Sequence, residues 1–281
     1  GCDNHCTYCA IPLIRGGYRS RKMEDILAEA EKLAQWGVKE LMVIAQDTTR
    51  YGEDLYGEGK LPQLLTELCK VEGICWIRVL YCYPERITDE LLEVMAKEDK
   101  ILKYMDLPLQ HCNRQVLRAM NRQGDRESLS ALIRKIREKV PGIVLRTTFM
   151  VGFPGETEEA FEELAEFAKE MRFERMGCFA YSQEEGTPAA RLPDQISREI
   201  KEHRQELMME QQMALMDEMS REMVGKTITV LNEGWDRYAE CCFGRSAADA
   251  PEIDTKVFFT VEGKKPYPGM FVQVEITDTM D

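Results

Sequence analysis

Apolar runs and amphipathic stretches alternate along the first 183 residues of the chain. The amphipathic stretches carry apolar residues at helical spacing, as at Ile26, Leu27, Ala30, Leu33 and Ala34. They predict helices within residues 21–37, 61–71, 88–97, 126–142 and 156–171. The runs between them are shorter and nearly continuous in apolar residues, which is typical of buried strands. The predicted strands lie within residues 39–47, 74–84, 102–110, 143–155 and 173–183.

Regular alternation of strands and helices indicates parallel strands joined by right-handed crossovers. Because the strands are apolar almost throughout, we expect a sheet that is covered on both faces. Thr88 is the expected N-cap of the third helix. We also expect a sixth strand just before Gly1, leading into the loop at the start of the chain. The pattern therefore predicts an α/β fold.

Two segments of different character follow. Residues 197–224 form a long predicted helix rich in Met and Glu. Methionine at helical spacing indicates packing rather than a metal site, so we expect this helix to dock across the first part of the molecule. After Gly225, four short alternating strands are separated by Gly, Pro and Asp, which predicts a small antiparallel barrel.

Composition is that of a globular protein with one large domain and a small one. The chain has 281 residues, of which 44% are hydrophobic, and no apolar run approaches the ~20 residues of a membrane span. Most of the ten cysteines are scattered in apolar contexts, as expected for free thiols in a reducing cytoplasm. The net charge of −13 disfavours a nucleic-acid partner and favours a basic protein partner.

Three cysteines are clustered at the start of the chain, where Cys2, Cys6 and Cys9 follow the spacing C-x3-C-x2-C. Thiolates suit zinc or iron–sulfur clusters. Structural zinc takes four protein ligands, and His5, which lies between two of the cysteines, is a poor fourth. A cubane cluster with three irons held by the protein and one left open fits better. A metal-binding module without catalysis remains an alternative.

The cysteine spacing, with the aromatic Tyr8 before the last cysteine, resembles the signature of the radical S-adenosylmethionine (SAM) enzymes. The resemblance implies that Cys2, Cys6 and Cys9 hold a [4Fe-4S] cluster. It also implies that the amino and carboxylate groups of SAM chelate the open iron. One electron from such a cluster cleaves the sulfonium, and the deoxyadenosyl radical then abstracts hydrogen from an unactivated carbon.

Other motifs narrow the resemblance to the methylthiotransferases, over essentially the whole chain. They are "CAIPLIRGGYRSR", "VIAQDTTRYG", "YCYP", "DLPLQH", "RTTFMVGFPGET" and "YSQEEGTPAA". The family fold implies a partial (β/α)6 radical-SAM barrel over residues 1–223 and a TRAM domain, a small antiparallel β-barrel, over 224–281. Whether that TRAM domain is complete stays open. Complete family members also carry an N-terminal domain with three cysteines and a second [4Fe-4S] cluster. Since Gly1 is not a natural start, we expect that region before it.

Two branches of the family compete. One, the RimO type, adds a methylthio group to the β-carbon of an aspartate in a small-subunit ribosomal protein, the twelfth by convention. The other modifies an adenosine in transfer RNA. The stretch 44–52, "IAQDTTRYG", resembles the ribosomal branch, and residues 220–281 carry 7 Lys+Arg against 11 Asp+Glu. We therefore expect a basic ribosomal protein as substrate, docked near Glu252 and Asp254, and a flavodoxin or ferredoxin as reductant. A membrane partner is not expected, and RNA is the less favoured of the two substrates.

The resemblance also assigns cofactor contacts to residues at or near the carboxyl ends of the predicted strands, where barrel active sites lie. Gln46 and Asp47 would meet the amino end of SAM, Gln110 its ribose and Arg146 its carboxylate. A structural ion pair is the alternative for Arg146. Around the cofactor, a backbone bend in "GFPG" would approach the adenine. The complete set of expected cofactor contacts is Tyr8, Gln46, Asp47, Gln110, Arg146, Gly152 and Gly155.

Overall fold

The first part of the chain folds around a parallel five-stranded sheet. The structure is a computed structural model and describes residues 1–279. Strands β1 to β5 lie side by side in chain order, and every neighbouring pair is parallel, as predicted. They span Glu40–Val43, Trp76–Val79, Ile101–Asp106, Val144–Val151 and Arg175–Ala180.

Helices connect these strands and continue beyond them. They are α1 (Ile11–Arg15), α2 (Met23–Gln35), α3 (Glu53–Tyr56), α4 (Leu61–Cys69), α5 (Asp89–Lys97), α6 (Arg114–Ala119), α7 (Arg126–Lys139), α8 (Glu158–Met171) and α9 (Arg198–Arg221). Short 3-10 turns span Thr48–Arg50, Pro84–Arg86 and Ala189–Arg191. The predicted N-cap is confirmed, since the Thr88 side chain accepts the Leu91 amide. The short helices α1, α3 and α6 were not predicted.

The order of the strands decides where the helices lie. When consecutive parallel strands are neighbours and every crossover is right-handed, all the helices fall on one face of the sheet. Accordingly, Ile77, Val79, Leu145 and Phe149 pack against the helices in one large apolar core. The opposite face, which we call the inner face, carries Trp76, Leu80, Leu102 and Tyr104.

A second, antiparallel sheet follows α9, as predicted. Its strands β6 to β9 span Thr227–Asp236, Cys241–Ser246, Val257–Phe259 and Phe271–Glu275, in the order β8-β7-β6-β9. Val230, Cys242 and Phe259 form its small core. We call residues 227–275 the C-terminal sheet.

The C-terminal sheet covers part of the inner face of the parallel sheet. Leu231 and Ala250 form one buried cluster with Trp76, Leu80 and Tyr104. The Phe271 ring meets the Trp76 ring edge-on at 4.8 Å between centroids. Helices therefore cover one face of the parallel sheet, whereas the C-terminal sheet covers only part of the other, on which Phe179 of β5 is 58% exposed.

Buried ion pairs join the two sheets beside β1 and β2. The Arg78 side chain is fully buried, and its Nε donates to Glu40 at 2.8 Å. The second oxygen of Glu40 accepts from Arg245 of β7 at 2.7 Å. The Arg78 guanidinium also lies over the Tyr104 ring, 4.5 Å from its centroid. Each buried charge thus has partners, which burial of charge requires.

A second polar cluster joins side chains of β3, β4 and β5 to the loop between β7 and β8. The Tyr104 hydroxyl donates to Asp254 at 2.6 Å, and Arg146 Nε lies 3.6 Å from the same carboxylate. Arg175 donates to Asp249 at 2.6 Å. The expectation that Asp254 faces a docking partner is therefore wrong, because only 3% of its side chain is exposed. Glu252, two residues earlier, is exposed.

The long helix α9 packs along the last strand, which confirms its expected docking. Met208 enters the large core, whereas Met213 is exposed. Gln205 and Gln212 donate side-chain amides to the backbone carbonyls of Cys178 and Phe173, both at 3.0 Å. These bonds satisfy one carbonyl of β5 and one carbonyl just before that strand.

Strand β1 forms the other edge of the sheet. Among residues 1–279 it pairs only with β2, and a groove of about 410 Å³ lined by Leu41, Val43 and Leu61 runs beside it. The sixth strand expected before Gly1 lies outside the described residues. Over the described part of the chain, none of the helices has the length and apolarity needed to cross a bilayer.

We predict that Asp254→Asn destabilises the protein by about 3 kcal/mol, because Arg146 would lose the charge of a buried partner. The matched control is Glu252→Gln, on the same loop but exposed, which should change stability by less than about 0.5 kcal/mol. Urea unfolding midpoints measure both effects. Equal midpoints for the two variants would show that the contact across the two sheets contributes little.

Candidate cluster-binding site

The loop of residues 2–9 lies over the carboxyl ends of the first parallel strands. Asn4 donates its side-chain amide to Asp47, just after β1, at 2.8 Å. Cys6 Sγ lies 2.8 Å from the hydroxyl of Tyr83, which follows β2. The residues that follow strands thus hold the loop, at the edge where α/β folds place their sites.

Contacts with α6 and with the turn at 189–191 hold the middle of the loop. The Thr7 amide donates to the Met120 carbonyl at 3.0 Å, and the Thr7 hydroxyl donates to the Ala119 carbonyl at 2.7 Å. On the other side, the Ala189 amide donates to the Thr7 carbonyl at 2.9 Å. Three backbone-directed bonds at one residue leave the loop little freedom between Cys6 and Cys9.

Asn121 supports the first half of the loop. Its backbone is left-handed, with φ 57°, a conformation that asparagine tolerates better than most residues. Its side-chain amide donates to the carbonyls of Asn4 and His5, at 3.3 and 3.0 Å. His5 is itself left-handed, with φ 52°. The loop therefore owes its shape to a partner more than a hundred residues away.

The three thiols share one partly buried environment. Cys6 is buried, and Cys2 and Cys9 are partly exposed. Burial above all raises the pKa of Cys2 and of Cys9, and the charge of the Cys6 thiolate adds to the rise at both. The Cys9 amide donates to the Cys6 carbonyl at 3.0 Å, so these two cysteines lie on one tight turn. A bound cationic centre would offset the free-energy cost of ionising these buried thiols, because thiolates bind metal in their deprotonated form.

The chemistry of the three ligands fits an iron–sulfur cluster better than one zinc ion. Among residues 1–279, no three His, Cys, Asp or Glu side chains gather around a single point as zinc ligands do. In a cubane cluster each of the three thiolates binds a different iron, so three cysteines suffice, whereas structural zinc takes four protein ligands. The three soft ligands on one short loop therefore fit an iron–sulfur cluster better than zinc.

A buried cation lies beside the loop. Arg122 is 7% exposed, and its guanidinium lies 4.0 Å from the centroid of the Tyr83 ring. It donates to the Pro108 carbonyl at 3.0 Å and to the Tyr8 hydroxyl at 3.4 Å. A fixed positive charge at this place offsets the negative charge that three thiolates would bring.

The two tyrosines at this arginine stay protonated. Burial, more than any neighbour, raises the pKa of Tyr8 and of Tyr83 above the usual value of about 10. Their hydroxyls are therefore available as hydrogen-bond donors at neutral pH.

Of the predicted cofactor contacts, Asp47 and Gln46 lie together just past the end of β1. The Asp47 side chain is buried, and its two oxygens accept from Asn4 and from the Thr49 hydroxyl, at 2.8 and 2.6 Å. Asp47 thus fixes the cysteine loop. Gln46 is exposed at the same strand end and is free to contact a small molecule.

Gln110 lies between the carboxyl ends of β3 and β4. Its backbone is left-handed, with φ 70°, and it forms an isolated parallel bridge with Phe149 of β4. Its amide donates to the Thr148 carbonyl and its carbonyl accepts from the Met150 amide, both at 2.8 Å. Left-handed residues of this type concentrate at ligand-binding sites, where the surrounding bonds maintain the strain.

The "GFPG" segment forms the expected bend. Gly152 and Gly155 have φ values of 71° and 81°, which glycine adopts without penalty. A Cβ atom at Gly152 would lie 2.2 Å from the Lys201 side chain of α9. The close approach of α9 is therefore what requires glycine at this position. The Gly152 amide donates to the Glu156 carboxylate at 2.9 Å. An adenine contact at this bend stays a prediction.

Arg146 lies near the start of β4 rather than at its end. Its guanidinium pairs with Asp106 at 3.3 Å and with Asp254 of the C-terminal sheet at 3.6 Å. The structural ion pair that the sequence left open is thus present. A contact between Arg146 and a cofactor carboxylate stays a prediction.

Sequence reasoning missed the residues whose contacts hold the loop, namely Asn4 within it and Tyr83, Asn121 and Arg122 outside it. Only Asn121 carried a local signal, since asparagine tolerates a left-handed backbone. The others act through contacts between distant segments, which periodicity and spacing do not report.

Known proteins resemble the chain along its whole length. The family model described as the radical SAM superfamily matches residues 1–168, and that of the TRAM domain matches residues 224–281. The ribosomal protein uS12 methylthiotransferase RimO of Alkaliphilus oremlandii is 50% identical over 285 residues, which cover 100% of this chain and 64% of the relative. The enzyme of the same name from Pelotomaculum thermopropionicum is 52% identical, with 98% and 62% covered. The chain thus spans under two-thirds of the length of these relatives.

Solved structures share the fold at low sequence identity. The radical SAM methyltransferase TsrM of Kitasatospora setae matches with a TM-score of 0.51 at 19% identity, covering 67% of this chain and 37% of that one. Methylornithine synthase matches with a TM-score of 0.51 at 15% identity, covering 75% and 60%. Since the superfamily model covers more than half of these 281 residues, the chain belongs to the radical SAM superfamily.

Proposed function

We propose that Cys2, Cys6 and Cys9 hold a [4Fe-4S] cluster and that SAM binds its open iron. The observation that carries the proposal is the loop with three cysteines at the spacing C-x3-C-x2-C, anchored across the carboxyl ends of β1 and β2. When bound, the cluster and SAM supply one-electron cleavage of the sulfonium and abstraction of a hydrogen atom. The residues of this chain orient the ligands and exclude water around them.

The roles of the surrounding residues follow from their contacts. Asp47 and Asn121 hold the loop in shape, and Arg122 balances its charge. Gln46 and Gln110 stand at strand ends around the loop, where they can bind the amino end and the ribose of SAM. We assign the adenine to the bend at Gly152 and Gly155, and we keep Tyr8 as a further cofactor contact.

We further propose a division into a radical SAM domain at 1–223 and a TRAM domain at 224–281. The reaction we propose is transfer of a methylthio group to the β-carbon of an aspartate in ribosomal protein uS12. The names of the relatives and their identity of about half support this reaction. The partners would be uS12 and a small electron donor such as a flavodoxin or ferredoxin, and the second cluster would lie outside these 281 residues.

Modification of an adenosine in transfer RNA is a second candidate, because of one feature of the C-terminal sheet. Lysines lie over aromatic rings there, in the pairs Lys256–Phe243, Lys264–Tyr267 and Lys265–Trp235. Aromatic rings beside cations are what single-stranded RNA stacks on. The acidic balance of residues 220–281, with 7 basic and 11 acidic side chains, favours the protein substrate.

Replacing any one of Cys2, Cys6 and Cys9 by alanine should abolish cluster assembly, because each thiolate would bind a different iron. Iron and sulfide analysis after anaerobic reconstitution should find about four irons per chain in the unmodified protein and a background level in the variants. Cys75→Ala, at an exposed cysteine, is the control and should retain the cluster. Full cluster content in any of the three variants would contradict the ligand assignment.

The reconstituted chain, reduced with dithionite, should cleave SAM to 5′-deoxyadenosine and methionine. Liquid chromatography of the quenched reaction measures both products. The Cys6→Ala variant should give only the background of the reductant alone, because it lacks the bound iron. Cleavage at the same rate by this variant would show that the reaction does not depend on the cluster loop.

Binding of a basic uS12 peptide should depend on exposed charge in the C-terminal sheet. We predict that Glu252→Lys weakens binding about threefold and that Lys256→Glu strengthens it by a similar factor, as single exposed charges do. Salt should weaken both effects, since the screening length is ~10 Å at about 0.1 M. Fluorescence anisotropy of a labelled peptide measures the affinities. If instead Lys256→Glu weakened binding of transfer RNA and left the peptide unaffected, the second candidate would be favoured.

A further inference from the structure

The segment after β2 departs from strand geometry at one residue. In a regular strand, residues two apart face the same side of the sheet. Yet Leu80 packs on the inner face with the C-terminal sheet, whereas Cys82 packs with the helices in the large core. Between them, Tyr81 has a left-handed backbone with φ 56°. This residue reverses the alternation of the side chains that follow it.

Left-handed backbone is unusual for a large aromatic residue and costs about 1–3 kcal/mol. Three hydrogen bonds hold it in place here. The Tyr81 amide donates to Asp106 at 3.1 Å, and the Tyr81 carbonyl accepts from the Thr48 amide at 3.0 Å. The next amide, of Cys82, donates to the Asp106 carbonyl at 2.8 Å. Asp106 is itself buried and paired with Arg146.

The reversal brings Tyr83 to the cysteine loop. Its amide donates to the Thr49 hydroxyl at 3.2 Å, and its ring lies against the Arg122 guanidinium at 4.0 Å. With the backbone amide and the ring of Tyr83 held in this way, its hydroxyl lies 2.8 Å from Cys6 Sγ. Without the turn at Tyr81, residue 83 would face the opposite side of the sheet.

The direction of this hydrogen bond follows from the chemistry of the ligand. A thiolate that binds iron has no proton, so the Tyr83 hydroxyl must donate to it. Hydrogen bonds to cluster sulfurs help to set the reduction potential. They stabilise the more negative, reduced state more than the oxidised state, because a donor interacts more strongly with greater negative charge.

We propose that Tyr83 is a positioning residue that donates a hydrogen bond to the Cys6 ligand and thereby raises the reduction potential of the cluster. The left-handed backbone of Tyr81, held by Asp106, places the Tyr83 hydroxyl within hydrogen-bond distance of Cys6. The inference rests on the proposed function only in requiring that Cys6 binds the cluster. It assigns a role to a tyrosine outside the cysteine motif, 77 residues away along the chain.

The test is the variant Tyr83→Phe, which removes the hydroxyl and keeps the ring against Arg122. An anaerobic redox titration of the reconstituted chain, followed by the electron paramagnetic resonance signal of the reduced cluster, measures the potential. We expect a lower potential in the variant. At a fixed potential, the ratio of reduced to oxidised cluster should fall about tenfold, equivalent to ~59 mV for one electron. An unchanged or higher potential would overturn the proposal.

The matched control is Tyr181→Phe. Tyr181 is also buried, and its hydroxyl has no hydrogen-bond partner among the described residues. Its removal should leave the potential unchanged. An equal shift in this control would assign the effect to general loss of a buried tyrosine hydroxyl and would overturn the role of Tyr83.

The part played by Asp106 is tested with Asp106→Ala, which removes the acceptor of the Tyr81 amide, alone and combined with Tyr83→Phe. If Asp106 acts through Tyr83, the substitution Asp106→Ala should lower the reduction potential of the otherwise unmodified chain. It should cause no further shift in the Tyr83→Phe background. An additional shift of equal size in the double variant would overturn the claim that Asp106 positions Tyr83 through the backbone of Tyr81. Failure of the unmodified chain to assemble any cluster would overturn the proposed function as well. A cluster with no effect of Tyr83→Phe would overturn this inference alone.

Discussion

The handedness of the crossovers is the constraint on which the rest of this structure depends. With five parallel strands in chain order, right-handed connections put the helices on one face and leave the inner face without cover. The C-terminal sheet covers it with apolar contacts at Trp76 and Tyr104 and with buried ion pairs around Arg78. The second sheet therefore completes the core of the first.

The parallel direction of the strands creates the candidate site. Parallel strands end at one edge, so the segments after β1 and β2 and the helix α6 meet there and hold the cysteine loop from several sides. Asp47 and Tyr83 follow different strands, yet both contact the loop. A single strand could not position all three thiols, and no local pattern around the cysteines encodes these supports.

Asp106 joins the two regions of the inner face. Its carboxylate accepts the Tyr81 amide on the side of the cysteine loop and pairs with Arg146, which also meets Asp254 of the C-terminal sheet. Burial above all raises the pKa of Asp106, and the charge of Arg146 opposes that rise. The contact between the sheets and the geometry at the loop thus share one buried carboxylate, so a change at either end is felt by the same group.

Local pattern determined the five strands, the long helices, the N-cap at Thr88 and the cluster of Cys2, Cys6 and Cys9, because periodicity, caps and spacing act over a few residues. Charge counting placed Asp254 on a docking surface, whereas the fold buries it against Arg146 while leaving Glu252 exposed. Likewise, nothing near Tyr83 announces a contact with Cys6, 77 residues away. Only the tertiary structure decided these pairings, because the fold brings together residues far apart in the chain and the left-handed turn at Tyr81 is maintained by hydrogen bonds from other segments.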